Sequence, residues 1–154
     1  MNKFGNRMGV TLIVATSTLL ALPALAQFAK PEDAIGYRQS VMTVMSAHFG
    51  RIGAVVKGVR PFEAADVQAN AAIVETMSKL AFDGFGPGTD KGETKAKPEI
   101  WANSDKFKSA AEQMQKAVLA LSSAAKAGNP DQVKAAFGDV GKTCKACHDD
   151  FRKK

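Results

Sequence analysis

Toward the end of the chain, apolar side chains fall at Val133, Phe137, Val140, Cys144, Cys147 and Phe151, in alternating steps of four and three. Residues three and four apart share one face of an α-helix, so this spacing predicts a single inward stripe that includes both cysteines. Asn129 stands ahead of it as a cap and Pro130 fits the first helical position. Asp131 adds negative charge where the helix dipole is positive.

Three further stretches carry the helical period, and none alternates as a strand would. The first opens at Pro31, with Glu32 and Asp33 in its first turn, and is predicted to run to about Lys57, before Gly58 and Pro61. The second, from about Phe62 to Leu80, places Val67, Val74, Met77 and Ala81 near one face. In the third, Asn103 or Ser104 is expected to cap a helix on which Phe107, Met114, Val118, Leu121 and Ala125 recur, and Gly128 ends it. Four helices with mostly short connections predict an all-α fold, an antiparallel up-down-up-down four-helix bundle.

The first 26 residues read differently. Lys3 and Arg7 give a positive start, Val10 to Leu22 form a core of apolar or hydroxyl-bearing residues, and Ala24-Leu25-Ala26 is a small-residue cleavage site. This is the pattern of a secretory signal peptide, with Gln27 as the first mature residue. Its core is too short to span a bilayer, so residues 27–154 are expected to form one domain in the periplasm, without a membrane anchor. The formal net charge is +6, and the leader supplies two of those positive charges. The lysines are scattered and no recognition motif accompanies them, which removes nucleic acid from the expected partners.

The chain has two cysteines, and both lie in Cys144-Lys145-Ala146-Cys147-His148. Thiols at i and i+3 can each add to a haem vinyl group while the neighbouring imidazole ligates the iron from one face. The expected cofactor is therefore one haem c per chain, attached through Cys144 and Cys147, with His148 as axial ligand. A dithiol redox pair would normally open a helix beside a strand, whereas this pair lies near a helix end in an all-helical pattern. A structural disulfide and a zinc site are the other readings, the latter short of ligands.

In an antiparallel bundle the end of the last helix shares one end of the molecule with the start of the first, the end of the second and the start of the third. A haem at 144–148 is then flanked by residues of about 35–45, by the region of Leu80 and by the chain near Phe107. The long connection 82–103 belongs to the same end and carries Phe82, Phe85 and Trp101 among glycines and polar residues. It reads as a lid over a porphyrin edge or, alternatively, as a plain aromatic plug. Helical rise places Met42 roughly 10 Å, and His48 about 20 Å, from the level of residue 35. Met42 is thus the candidate for the open iron face, Met45 goes to the core, and His48 to the surface or an interface. Arg38, one turn from Met42, can pair with a propionate or hydrogen-bond near His148, or be a solvated surface arginine. Gln39 is a second propionate candidate. Arg152, one turn past His148, can cover and tune the imidazole or fray into solvent. Gly138 and Gly141 are compatible with close approach of helices or haem.

The segments Gln27–Ala34, Tyr37-Arg38-Gln39, Ala47–Arg51, Phe85–Thr89, Pro98–Trp101, Ala136–Gly141 and Cys144–Asp149, followed by Phe151-Arg152-Lys153, together resemble cytochrome c prime. That family is itself an established example of the up-down bundle. The resemblance covers essentially the whole mature chain. It implies thioether links at Cys144 and Cys147, iron ligation by His148, haem contacts from Arg38 and Gln39, and a basic residue beside the proximal histidine at Arg152. It also implies a homodimer formed through the first two helices and five-coordinate, high-spin iron. Met42 falls where members place an apolar residue over the vacant iron face; a Met42-ligated, low-spin electron carrier is the alternative. No catalytic acid or nucleophile is required. The expectation is accordingly an electron carrier, with nitric oxide or carbon monoxide binding, or protection against nitric oxide, as the second role.

Overall fold

The computed structural model describes residues 27–154, and the expected leader, residues 1–26, lies outside them. Helix α1 spans Pro31–Val56 and α2 spans Ala64–Leu80. A single turn, α3, follows at Glu99–Ala102, then α4 at Ser104–Ala127 and α5 at Pro130–Phe151. The four long helices form the expected all-α bundle, and α3 is a turn inside the long connection that helical periodicity, needing more than one turn to register, does not reveal. Among the described residues the only strand-like pairing is one isolated antiparallel bridge, Ala96 with Arg152.

Local chemistry fixes the helix ends. The Asn129 side chain accepts hydrogen bonds from the backbone N–H groups of Asp131 (3.0 Å) and Gln132 (3.1 Å), satisfying two donors that the first turn of α5 leaves free. Gly128 closes α4 at φ +67°, a left-handed conformation that costs glycine little. At the start of α4 the expectation fails. Asn103 occupies the cap position at φ −124°, ψ 53°, but its side chain makes no capping bond.

The interior is a continuous apolar layer in which Ile52, Val67, Val74, Val118, Leu121, Val133 and Val140 are sealed from solvent. Each such side chain contributes about 1.5–3 kcal/mol through burial. On α2 the inward seam runs Val67, Ala71, Val74, Ser78, Ala81, so Ser78 takes the place expected of Met77, which is half-buried. A serine can occupy this seam because its hydroxyl donates to the Glu75 carbonyl at 2.7 Å.

Helices α1 and α2, α2 and α4, and α4 and α5 pack along their lengths, but α1 and α5 meet sparsely. They touch at the end remote from the cysteines. There the Phe137 ring stacks on Phe49 with centroids 4.2 Å apart and planes inclined by 14°. The helix-approach half of the glycine expectation fails at this seam, while Gly141 lines the cavity. A Cβ at Gly138 or Gly141 would meet no other group within 4 Å, so neither marks a close helix approach; that place belongs to Gly53, against which Phe137 rests.

Replacing the α5 cap, Asn129→Ala, should lower stability by about 1 kcal/mol, with Asn129→Ser close to the parent. Thermal or denaturant melts of the two variants measure this; equal midpoints for Ala and Ser would mean that the cap bonds contribute nothing.

Candidate functional site

Where α1 and α5 part, they enclose a cavity of about 830 Å³. This lies within the range of small-molecule and cofactor pockets, about 300–1,000 Å³. One wall is α5, through Val140, Gly141, Cys144, Cys147, His148, Phe151 and Arg152. The facing wall is α1, from Arg38 and Gln39 through Met42, Met45 and Ser46 to Phe49. Val74, Met114 and Val118 form the back, and the 82–103 connection closes the end with Phe82, Phe85, Thr94, Lys95, Ala96 and Ile100.

Both thiols are half-buried on this wall, as the alternating spacing of α5 requires. Burial first, then the neighbouring charges of Cys144 and Asp150, pushes the Cys147 thiol up to about 11, and burial likewise raises Cys144. Before attachment they therefore favour the neutral S–H form, and adding an S–H across a vinyl double bond conserves every atom without a separate oxidant. His148 sits one turn from Cys144 on the same cavity. Partial burial lowers its pKa, the nearby Arg152 charge lowers it further and Asp149 opposes them, a balance that favours the neutral imidazole able to ligate a metal.

The end of the cavity is held by Arg38. Arg38 is 3% exposed, and its guanidinium donates four hydrogen bonds into the connection: to the carbonyls of Gly84 (2.8 Å) and Thr89 (2.8 Å) and the hydroxyls of Thr89 (2.9 Å) and Thr94 (2.7 Å). It also lies 4.5 Å from the Phe85 ring centroid. The alternative of a solvated surface arginine is therefore overturned, because folding removes Arg38 from water and gives it new acceptors. Gly84 permits this approach. A Cβ there would fall 2.6 Å from the Ala34 carbonyl oxygen.

The connection is tied to α5 as well. Lys97 N–H donates to the Phe151 carbonyl, Lys153 N–H to that of Lys95, and the Lys97 ammonium caps the carbonyls of Asp149 and Asp150 at 3.0 Å each. The two readings of its aromatics divide by residue. Phe82 and Phe85 line the cavity with Phe107 and Phe151, whereas Trp101 plugs the bundle end, its indole N–H donating to the carbonyls of Phe85 and Gly86.

The structure brings Arg38, Gln39, Met42, Cys144, Cys147, His148 and Arg152 to one cavity. Gln39 is exposed at its rim and donates to the Glu93 carbonyl at 2.8 Å. Met45 packs against the core, as expected, and also reaches the cavity. His48 stays outside it, with Nδ1 2.8 Å from the Asn70 Oδ1. Ser46, Ala47 and Phe49 on α1 and Val74, Met114 and Val118 at the back are cavity residues not anticipated as such: the spacing of the last three marks them as core, and nothing in a sequence distinguishes core that touches a cofactor from core that touches core. The cavity consequently reaches farther along α1 than residue 45.

A four-helix bundle that turns a CXXCH run into an apolar, porphyrin-sized cavity defines a c-type cytochrome of the bundle class. The family model described as Cytochrome C' matches residues 33–152. The chain is 52% identical over 128 residues to the cytochrome c' of Alcaligenes xylosoxydans xylosoxydans, covering 83% of this chain and 99% of that one. It superposes on the crystal structure of cytochrome c' from Rubrivivax gelatinosus with a TM-score of 0.81 at 49% identity, covering 82% of this chain and all of the other. A nitric oxide complex of an Alcaligenes xylosoxidans cytochrome c' variant gives 0.79 at 52% identity, covering 83% and 99% of the two chains. The chain belongs to the cytochrome c' family. It is a periplasmic c-type cytochrome with haem attached covalently through two cysteines, of a kind that carries electrons and binds gases rather than turning over a substrate.

If Arg38 latches the connection, Arg38→Lys should raise amide exchange across residues 84–96 by about tenfold or more, since a charged hydrogen bond contributes about 1.5–3 kcal/mol and an ammonium cannot reproduce the planar fork. Hydrogen-exchange mass spectrometry of the haem-loaded protein measures it. Unchanged protection there would show that the latch is not what orders the segment.

Proposed function

We propose that His148 is the only protein ligand to the haem iron and that Met42 covers the opposite face without bonding to it. On this reading the protein is a periplasmic electron carrier whose reduced haem also admits nitric oxide and carbon monoxide. The haem supplies the ferric/ferrous couple and a site for diatomic ligands. The chain supplies attachment, one imidazole and an apolar enclosure.

The observation that carries this reading is the composition of the α1 wall. Met42, Met45 and Phe49 face the side of the cavity that bears Cys144, Cys147 and His148. The hydroxyl of Thr43 is spent on the Gln39 carbonyl at 2.9 Å, and Ser46 lies one turn beyond Met42 at the exposed rim. A wall poor in free donors gives little stabilisation to a negatively polarised bound oxygen, while nitric oxide and carbon monoxide need less. The nitric oxide complex of the Alcaligenes relative supports carrying gas binding over to this chain.

Arg38 and Gln39 are assigned to the propionates. Burial lowers the pKa of Arg38 and no carboxylate among the described residues offsets its charge, so a propionate at the cavity edge is the natural counter-charge. Arg152 lines the cavity one turn past His148 and is assigned to tuning the imidazole. The working unit is assigned as a homodimer through α1 and α2, consistent with Val44 lying 41% exposed on α1.

Intact mass after denaturation should equal residues 27–154 plus one haem, and Cys144→Ser with Cys147→Ser should lose that increment; a bare mass for the parent protein would end this account. Absorption and resonance Raman spectra should report high-spin iron with adducts of both gases in the ferrous state. Met42→Ala should leave the ligand number unchanged and speed gas association by about tenfold, as crowding over the iron is relieved. A native low-spin methionine–iron signature abolished by Met42→Ala would establish the alternative carrier instead.

A further inference from the structure

The open seam between α1 and α5 needs something to set its width, and one contact is placed to do so. The Phe137 ring, from α5, lies in the groove of α1 between Phe49 and Gly53. It stacks on Phe49 at 4.2 Å. Its tip rests on the α1 backbone, where a Cβ at Gly53 would lie 2.9 Å from Cζ and 3.4 Å from Cε2. Real Cβ atoms do not approach that closely. Phe49 covers one face of the Phe137 ring and so limits how far it can turn aside, and Phe49 also lines the haem cavity.

We propose that Gly53 is a positioning residue for the haem pocket: by admitting the Phe137 ring onto the α1 backbone, it sets the α1–α5 separation and so the crowding that Met42 and Met45 impose above the iron. The proposal rests on the reading that the α1 wall faces the open side of the haem.

The mechanics follow from how α1 is held. It packs on α2 along its length, is tied near one end by the Arg38 bonds to the 82–103 connection, and meets α5 near the other through the Phe137 contact. Between those points it faces the cavity, and the spacing of two packed helices depends on the side chains at their contact. A methyl at residue 53 lifts Phe137, and with it the far end of α1, by a few tenths of an ångström. For a rigid helix pivoting at residue 38, a displacement at 53 moves Met45 by about half as much and Met42 by about a quarter. Close-packed interiors transmit such shifts rather than absorb them. The pocket opens and its crowding falls.

Gly50 supplies the control. It lies on the same helix, one turn nearer the haem, and a Cβ there would meet nothing within 4 Å. Gly50→Ala thus adds the same methyl and the same helix propensity without the wedge.

The test uses the haem-loaded protein and carbon monoxide as probe, read by flash photolysis and by the carbon–oxygen stretching frequency of the ferrous adduct. Gly53→Ala should raise the association rate by about threefold or more and shift the stretch, and Gly50→Ala should leave both at the parent values. Phe137→Leu should slow association as α1 settles closer, and combining it with Gly53→Ala should return the rate toward the parent. A Gly53→Ala protein indistinguishable from Gly50→Ala would overturn the proposal, as would a double variant as fast as Gly53→Ala alone. Should Gly53→Ala fail to fold, Phe137→Leu decides alone, since an unchanged rate there removes the wedge. The parent spectrum separately tests the open-face reading: a native methionine ligand would defeat that reading, while a Gly53→Ala change in the ligated fraction, reversed by Phe137→Leu, would still support the spacing role.

Discussion

A bundle that carries a flat prosthetic group on the inward face of its last helix cannot close the seam between that helix and the first. The other architectural features answer this constraint. Helices α1, α2, α4 and α5 pack in sequence order, so three of the four seams fill with valine, leucine, isoleucine and alanine. The fourth closes at one end, where Phe137 packs on Phe49 and on the α1 backbone at Gly53. Apolar burial by the haem replaces the helix–helix contact that this seam forgoes.

Opening one seam leaves the end of the bundle weak, and the 82–103 connection repairs it from both sides. Toward α1 the anchor is a buried guanidinium, and removing a charge from water costs several kcal/mol. Four hydrogen bonds and an aromatic face offset that cost without a carboxylate among the described partners. Toward α5 the anchor is Lys97 on the last carbonyls of the helix, and α4 adds the Lys106–Asp150 ion pair at 2.9 Å. The second of these lies at the surface and contributes little. The asymmetry matters, because neutral acceptors hold Arg38 in one geometry, whereas a lone counter-ion would permit several.

The helices, their order and the inward aim of the two thiols were legible because each rests on periodicity or on local caps, which a sequence carries in full. That Cys144, Cys147 and His148 share one cavity was legible for a further reason: they lie within five residues on one helix. The destination of Arg38 was not. Its acceptors, Gly84, Thr89 and Thr94, lie 46 to 56 positions away and are chosen by the fold of the connection, so no local pattern announces them. The back of the cavity was hidden for the opposite reason, since Val74 and Val118 carry the same core signature whether a helix or a porphyrin lies against them. Gly53 is the instructive case. A glycine inside a helix reads as a weakness, and only the position of Phe137 turns it into a fitted surface.

The cavity wall also constrains the haem's redox behaviour. Reduction removes one positive charge from the iron, so surroundings that solvate charge poorly, and fixed cations, both favour the ferrous state, while propionates oppose them. No aspartate or glutamate is among the described residues lining the cavity, and its cationic side chains besides Arg38 are Lys95 and Arg152, while burial and the Arg152 charge lower the pKa of His148. Lys95 and Arg152 are exposed and screened by salt over about 8–10 Å. Asp149 and Asp150, which would pull the other way, are each engaged by a lysine. Beside the axial ligand, the contributions that do not vary with ionic strength come from the apolar walls and from Arg38, whose charge the propionate assigned to it offsets, and these same groups fix the shape of the pocket. Geometry and potential are in this way set together, and a substitution that relaxes one seam of the bundle acts on both.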